Sequence, residues 1–598
     1  MARLRPFPRL RPLRELKGDE GGVIGPMVAV LGVSLLGAAG LALDVGLYYQ
    51  GNRDLRAATE AAALAAAMDP YRAEARARDY LTRNGYDPAV LKSVQIGRYC
   101  ADIGQATDQR FDPTMARCPG NGLANAVRVV TSKASRRFLT GVLGEAGPIP
   151  DLTATASAAR IDEAGVSVTS GLLTISNPLV TLVNNLLGAL LGIQLRLTST
   201  DIEGLMNGNV DAGLFFDALA GRTGFTGTYG DLIKGSYGLR DIATAAAAAT
   251  TDAKTRAGLT AFAGQVTNSY RVPLSGLFSV GVWKNMPVGG ADAQPALRAG
   301  MNAYQLVSFA SQANPAVIDL STLTGLVLPD SVASIKLGVS GFDAMPRFSF
   351  GPAGETSVGT SLIRLGVNLK IIDIPIPVLG DLAKANVPLI VDVAASSAKV
   401  SAIDCTGSTE QGRDTQVTVQ ANSGLVNVYL GSAPANALTK VMPPLTASDI
   451  TPATIISSKL LFIPLLEVTA RAAVQPVTGA SSSLVFGPGG TGTVGSPSLQ
   501  GKAVTIGNDV SLGATVTSLT TSLLDQGGLE VKPLGTCLGT CNTQLRLSLV
   551  NGVVQPVAGL VSGVVDPLLN NLLSVLGIQL GHATVWVTGA RCGVPVLI

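Results

Sequence analysis

Val23-Ile-Gly-Pro-Met-Val-Ala-Val-Leu-Gly-Val-Ser-Leu-Leu-Gly-Ala-Ala-Gly-Leu-Ala-Leu43 runs for 21 residues without a charged side chain. At about 1.5 Å of rise per residue such a helix covers roughly 32 Å, against a bilayer hydrocarbon core of about 30 Å. Gly25 and Pro26 stand near its start, where a helix tolerates them. Gly37 and Gly40 would weaken a soluble helix but are common in membrane ones. The flanks set the orientation. Arg3, Arg5, Arg9, Arg11, Arg14 and Lys17 precede the span, Asp44 follows it, and the next basic residue is Arg53. The positive-inside rule then leaves residues 1–22 as a basic cytoplasmic tail and 23–43 as one inner-membrane span. Everything after it is placed in the periplasm or outside the cell. A cleaved secretory signal is the competing reading. It fits less well, because a signal's apolar core is roughly 7–15 residues long and no A-x-A site follows directly.

The helix pattern continues past the span. Leu55, Ala58, Ala62 and Ala65 recur at helical spacing within a run of strong helix formers ending at Met68. A face of small residues suits close helix packing, and plain helix propensity accounts for the alanines equally well. Asp69-Pro70 interrupts the run, and Tyr71 to Arg83 reads as a second helix stopped by Asn84-Gly85. Residues 44–84 are therefore a helical extension.

Residues 85–165 read as a small α+β unit. Its strands are expected at Ala126–Thr131 and Thr153–Arg160, and its helix at Ser135–Leu143. Residues 166–598 are β-rich, with strands expected at Ser334–Val339, Ser361–Ile372, Leu389–Val393, Thr415–Gln420, Leu425–Leu430 and Gln544–Leu549. Helices are expected at Asp241–Ala249, Lys254–Thr267 and Ala296–Gln312, and a mobile loop or linker at Gly479–Pro497. The fold class is α+β: a transmembrane helix, its Ala-rich continuation, and a large β-rich exported region with interspersed helices.

One segment occurs twice. Leu182-Val-Asn-Asn-Leu-Leu-Gly-Ala-Leu-Leu-Gly-Ile-Gln-Leu195 returns, one residue shorter, as Leu568-Leu-Asn-Asn-Leu-Leu-Ser-Val-Leu-Gly-Ile-Gln-Leu580. Pro178 and Pro567 precede the copies. Leu179, Leu182, Val183, Leu186, Leu187, Leu190 and Leu191 fall on one apolar helix face. Each copy is too short to cross a bilayer. They read as two helix–strand units that bracket the 166–598 region. A pair of membrane-surface helices is the rival, weakened by the scarcity of flanking basic residues.

Only 14% of the 598 residues are charged, against about 25% in ordinary soluble domains. The first twenty residues carry six basic and three acidic groups, leaving 38 of each beyond. An exported part without net charge has nothing to hold a phosphate backbone, so no nucleic-acid partner is expected. The six cysteines, Cys100, Cys118, Cys405, Cys537, Cys541 and Cys592, are candidates for disulfides in an oxidising compartment. Six cysteines allow 15 pairings, among which Cys100–Cys118 and Cys537–Cys541 close local loops.

Chemistry is sparse. The single histidine, His582, rules out a histidine-based metal cluster and reads as structural; a zinc site needs four ligands, usually from Cys and His. No Ser–His arrangement, phosphate loop or calcium loop is present; Gly501-Lys502-Ala503 lacks the first glycine and the hydroxyl of a phosphate loop. Val317-Ile-Asp-Leu-Ser321 matches the start of a von Willebrand A metal motif, but Leu323 stands where the second serine belongs. No catalytic residue, cofactor or metal is expected, and the chain reads as non-enzymatic.

Gly37-Ala-Ala-Gly-Leu-Ala-Leu-Asp44-Val-Gly46, then Tyr48 or Tyr49, then Leu55-Arg-Ala-Ala-Thr-Glu-Ala-Ala-Ala-Leu-Ala-Ala-Ala67 resemble the TadG-like N-terminal region of Flp (Tad) pilus-assembly proteins. Gly40, Asp44, Gly46, Tyr48, Ala58, Glu60, Ala61 and Leu64 carry the pattern, with Glu60 where the family usually has aspartate. The resemblance covers about residues 18–68. The ending, Leu576 to Gly593, is similar to that of large TadG-related proteins. What the resemblance implies is a membrane-anchored protein supporting Flp pilus assembly or anchoring, with other pilus-assembly proteins as partners. Prepilin processing would need a glutamate at the fifth place after the glycine. Val23 stands there after Gly18 and Glu20 comes too early, so a permanent anchor is expected. A tethered surface adhesin or binding module, using the same segment only for export, is the alternative.

Overall fold

The structure is a computed structural model. It describes residues 24–101, 106, 109–117, 124–135, 150–169, 177–289, 297, 299–323, 328–342, 345–376, 380–393, 395–405, 415–440, 442–460, 463–477, 480–507, 522–523, 528–533, 557–559, 561–576 and 581–598. Two compact units divide the chain. The first takes residues up to Cys100, Phe111–Arg160 and Leu597–Ile598; the second takes Ala101–Arg110 and Ile161–Val596.

The first unit starts from helix α1, Ile24–Ala67, 44 residues long. At the usual rise this is roughly 66 Å, twice a bilayer core. A one-turn 3₁₀ segment, Pro70–Arg72, breaks it from α2, Ala73–Arg83, because Pro70 cannot continue the helical hydrogen bonding. Gly85 then takes a left-handed φ of 79° and turns the chain into the sheet. Strands β1 (Leu91–Tyr99), β2 (Phe111–Asp112), β3 (Ala126–Lys133) and β4 (Leu152–Thr169) follow. The order is β2-β1-β3-β4, all antiparallel, with Val129 opposite Val94 and Ala156 opposite Val129. Of β4, the part through Arg160 belongs to this unit.

The alanine run packs on this sheet. Ala62, Ala63, Ala66 and Ala67 of α1 and Ala73, Ala77 and Leu81 of α2 are buried with Leu91, Val127, Val129, Ala156 and Ala158. The run is thus a packing surface, but its partners are the chain's own α2 and sheet and not the helix of another pilus-assembly protein, because this face is already covered. The face differs from the expected one by part of a turn. Ala65 is half-exposed, and Thr59 replaces Ala58 at the centre of contact.

The second unit begins with the rest of β4. Glu163 to Ser167 pair antiparallel with Phe348–Pro352, which pairs in parallel with Phe278–Ser279. The C-terminal strand, His582–Leu597, pairs with Val504–Gly507. These strands face a four-stranded sheet of Ser357–Gly359, Ser397–Asp404, Gln416–Asn422 and Ser481–Phe486. Val166, Val168, Val585 and Val587 pack there against Val400, Val419, Leu484 and Phe486. A nine-stranded sheet carries the long hairpin Ile363–Ile376/Gly380–Val393. On it the buried Arg364 forms a bidentate pair with Asp392 and donates to the carbonyls of Ala437 and Pro443, pinning the 433–445 loop. An α-helical stretch between 177 and 311 surrounds an aromatic cluster of Phe215, Phe216, Phe278, Phe309 and Phe348.

Several expectations are corrected. Residues 481–486 form a paired strand where a loop or linker was expected; Leu484 and Phe486 alternate inward while Ser481 and Ser483 face out. The expected helix Ala296–Gln312 is a short strand, Gly300–Asn302, followed by a helix, Ala303–Ser311, because Asn302 caps the helix start by accepting from Gln305 N–H. Asp319 likewise caps a single 3₁₀ turn, a structural role for the residue that suggested a metal motif. The first copy of the repeated segment forms helix α3, Asn177–Leu191, with Val183, Leu186, Leu187 and Leu190 buried. No strand follows it: residues 193–198 pass directly to α4, Ser199–Asn207. Asn184 takes the place of a strand partner, its amide donating to Leu197 C=O and accepting from Leu197 N–H. The second copy's helix, Asp566–Val575, packs against α3 and against Ala303–Ser311, where Tyr304 donates to Val575 C=O. The expected helix at Ser135–Leu143 and strand at Gln544–Leu549 lie mainly or wholly outside the described residues.

Candidate functional site

The sequence directs attention to α1, and the structure divides this helix into two stretches. From Met27 to Val45 its large side chains are bare: Val33 is 72% exposed, Leu36 69% and Met27 61%, with Val28, Val30, Leu31, Leu35, Leu41 and Leu43 similar. Leaving this many adjacent aliphatic residues in water is unfavourable by roughly 1.5–3 kcal/mol each. The helix is long and apolar enough to cross a membrane, and a bilayer is the solvent this surface suits.

One side of α1 is nevertheless covered along most of its length. Gly40, Asp44, Leu55, Thr59, Ala62 and Ala66 are buried, with Tyr48 and Gly51 half-buried between them. The steps of three, four and seven residues make one continuous stripe. At Gly51 a Cβ would come within 2.9 Å of Leu152. Tyr48 packs with Leu55, Val90, Leu152 and Ala154. Thr59 and Thr131, both buried, share a 2.6 Å hydrogen bond between helix and sheet, and the Thr59 hydroxyl also reaches Leu55 C=O at 2.6 Å. These contacts fix the rotation of α1 about its axis.

The family-pattern residues therefore separate by place. Gly40 and Asp44 are buried, Asp44 at only 4% exposure. Tyr48, Ala58 and Leu64 pack partly against the apolar core. Ala61 is half-buried, and Glu60 makes a surface ion pair with Arg56 at 3.3 Å. Gly46 faces outward, and no described atom lies within 4 Å of a Cβ built there. Spacing alone could not separate the inward from the outward members, because the sheet that defines the inside is far away in sequence.

The cysteines add one defined bridge. Cys405 and Cys592 form a disulfide with a Cα–Cα distance of 5.9 Å across a separation of 187 residues. The side chain of Asp162 lies beside this bridge, but both sulfurs are committed, so the group does not make a metal site. Cys100 is also disulfide-bonded. Cys118, Cys537 and Cys541 lie outside the described residues, so the local pairings expected there do too.

Sequence reading missed one buried polar cluster. Glu163 accepts a hydrogen bond from Trp283 Nε1, and Arg591 approaches it to 4.0 Å while stacking over the Trp283 ring at 5.8 Å. Burial pushes the Glu163 carboxyl up to about 7, against the opposing pull of Arg591 and Trp283. Desolvation prevails because the arginine is distant and a quarter exposed. The cavity beside it is no larger than a single water-sized space, so the cluster is part of the core and holds no substrate pocket.

Comparison with known proteins agrees with the helix. Residues 21–69 match the TadE/G-like Flp pilus-assembly family and residues 56–158 a Tad-like Flp pilus-assembly family. Together they cover α1, α2 and the sheet of the first unit, and the N-terminal region is TadG-like. Residues 181–312 match a domain of unknown function (DUF8293), which spans the helical stretch from α3 to Ala303–Ser311. No curated protein and no solved structure matches the chain.

Proposed function

We propose that this chain is a non-enzymatic, single-pass inner-membrane protein that supports or anchors Flp (Tad-type) pilus assembly. Its N-terminus lies in the cytoplasm and its large units in the periplasm or outside the cell. The observation that carries the reading is α1 itself: one helix that exposes a run of aliphatic side chains from Met27 to Val45 and whose second half is built into a folded unit. The Tad-family matches over 21–158 connect that design with pilus assembly. The basic tail before the span favours the orientation. Gly46 favours a helical partner: nothing within the described chain requires a glycine there, and small residues admit a second helix closely.

Removing the chain from its host and counting surface pili by electron microscopy tests the proposal. Loss or marked reduction of pili is expected, with restoration by the wild-type chain. Normal pili with lost surface attachment would replace it by the adhesin reading. Hydrolytic activity of the purified chain towards peptide, ester or glycoside substrates would overturn the non-enzymatic part.

A further inference from the structure

We propose that the outer edge of β1, with the groove between β1 and α2, receives an extended segment of another polypeptide as an added strand. The inference stands on the first unit alone and does not depend on the pilus reading.

Strand β1 pairs with β3 along Leu91–Gly97 but meets β2 only at Arg98 and Tyr99. On its other side, residues 91–97 have no strand neighbour among the described residues. Gly97 C=O accepts from Asn125 N–H, towards β3. By the alternation of a strand, Val94 and Ile96 turn their backbone groups the opposite way, to the open side. An edge of this kind is a template for strand addition. Both ends of the open stretch are guarded: exposed Lys92 and an irregularity in register between Leu91 and Ser93 stand before it, and β2 closes it at Gly97, which lies against Asp112 and Phe111. Val94 to Ile96 carry no such guard.

The groove is a separate observation. About 610 Å³ of open space lies between the α2 end and β1. Its floor is Val94 and Ile96, half-buried, and its wall includes Tyr71, Ala75 and Arg78. Tyr71 is 68% exposed. An added strand would hydrogen-bond to the edge and lay alternate side chains into the groove. Apolar floor residues select aliphatic side chains there. Charge selects an acidic neighbour. Arg78 is paired with Glu74 at 2.8 Å, while Arg72 reaches Asp69 only at 4.0 Å, so the lining formed by Arg72, Glu74 and Arg78 is net positive. The occupant is accordingly an extended segment with Val, Ile or Leu at alternate positions and a carboxylate beside them. A second copy pairing antiparallel about Gln95 would set Lys92 opposite Arg98, two like charges, and fits less well.

Selection of a random twelve-residue phage-displayed peptide library on the full chain in nanodiscs tests this. Recovered binders should alternate aliphatic residues and carry an acid. V94P deletes an outward N–H without removing a β1–β3 hydrogen bond, and A75W fills the groove from an exposed position. Each should weaken binding at least tenfold, while R56A, on the far helix, leaves it unchanged. Thermal unfolding of each variant verifies folding, and A75W retains the test if V94P unfolds. Binders without alternation, binding insensitive to A75W, or a selection yielding nothing that the wild type binds better than A75W would overturn the proposal.

Discussion

Glu163→Gln offers a quantitative test of the second unit. Burial moves the carboxyl from 4.5 to about 7. At 1.36 kcal/mol per pH unit, the ionised form costs the folded state about 3 kcal/mol. The sign follows from the direction. The folded protein holds this proton more tightly than the unfolded chain, so the stabilisation is complete below about pH 4.5. It is lost as pH rises through about 7. Glutamine keeps an oxygen for Trp283 Nε1 and never ionises. The variant should match the wild type near pH 4.5 and exceed it in stability at pH 8, by up to about 3 kcal/mol. Trp283 reports the titration directly, since its ring N–H donates to the carboxylate. Tryptophan fluorescence of the full chain, followed from pH 5 to 9, should show a transition near 7 that disappears in Glu163→Gln. A flat wild-type profile, or an identical transition in the variant, would refute the argument that desolvation prevails over Arg591.

Other outcomes follow from the packing. Thr59→Val keeps shape but strands the buried Thr131 hydroxyl, and should cost about 1–3 kcal/mol in denaturant unfolding of the first unit. Ala66→Leu adds volume to a fully buried helix–sheet contact and should destabilise by about 1–3 kcal/mol, whereas Ala57→Leu, on the exposed side, should lie within about 0.5 kcal/mol of wild type. Cys405→Ser removes a cross-link over 187 residues and should lower the stability of the second unit by about 3–5 kcal/mol, read by urea unfolding with non-reducing peptide mapping as the control. Gly46→Leu should leave unfolding unchanged but reduce surface piliation if the outward face of α1 meets a partner helix.

Local patterns in the sequence were informative wherever one element decides the outcome. The uncharged run from Val23, the Asp69-Pro70 break and the Asn84-Gly85 stop predict α1, its interruption and the end of α2, and the structure has all three. The leucine face of α3 is visible from spacing alone. What the sequence could not display were partners far apart along the chain. Serines at 481–483 look like a linker until Val417–Asn422 supplies a strand to pair with. Asn184 looks like a polar interruption until Leu197 is found beside it. Cys405 and Cys592 have no local signal, because the C-terminal strand must first enter the second unit. Glu163 likewise sits in an ordinary-looking strand; only Trp283 and Arg591, 120 and 428 residues onward, make it a buried carboxyl. Of the family-pattern residues, the helix could be read but not its inward side. Thr59 and Gly51, which seat α1 on the sheet, carry no mark of that role in the helical spacing.

Protease accessibility of the full chain in right-side-out spheroplasts, with one epitope tag at each terminus, tests the central claim most directly. The account predicts loss of the C-terminal tag and survival of the N-terminal tag on a short fragment that stays with the membrane after alkaline carbonate washing. Protection of both tags would place the large units in the cytoplasm. A surviving N-terminal fragment released by carbonate would show that α1 is not a membrane anchor.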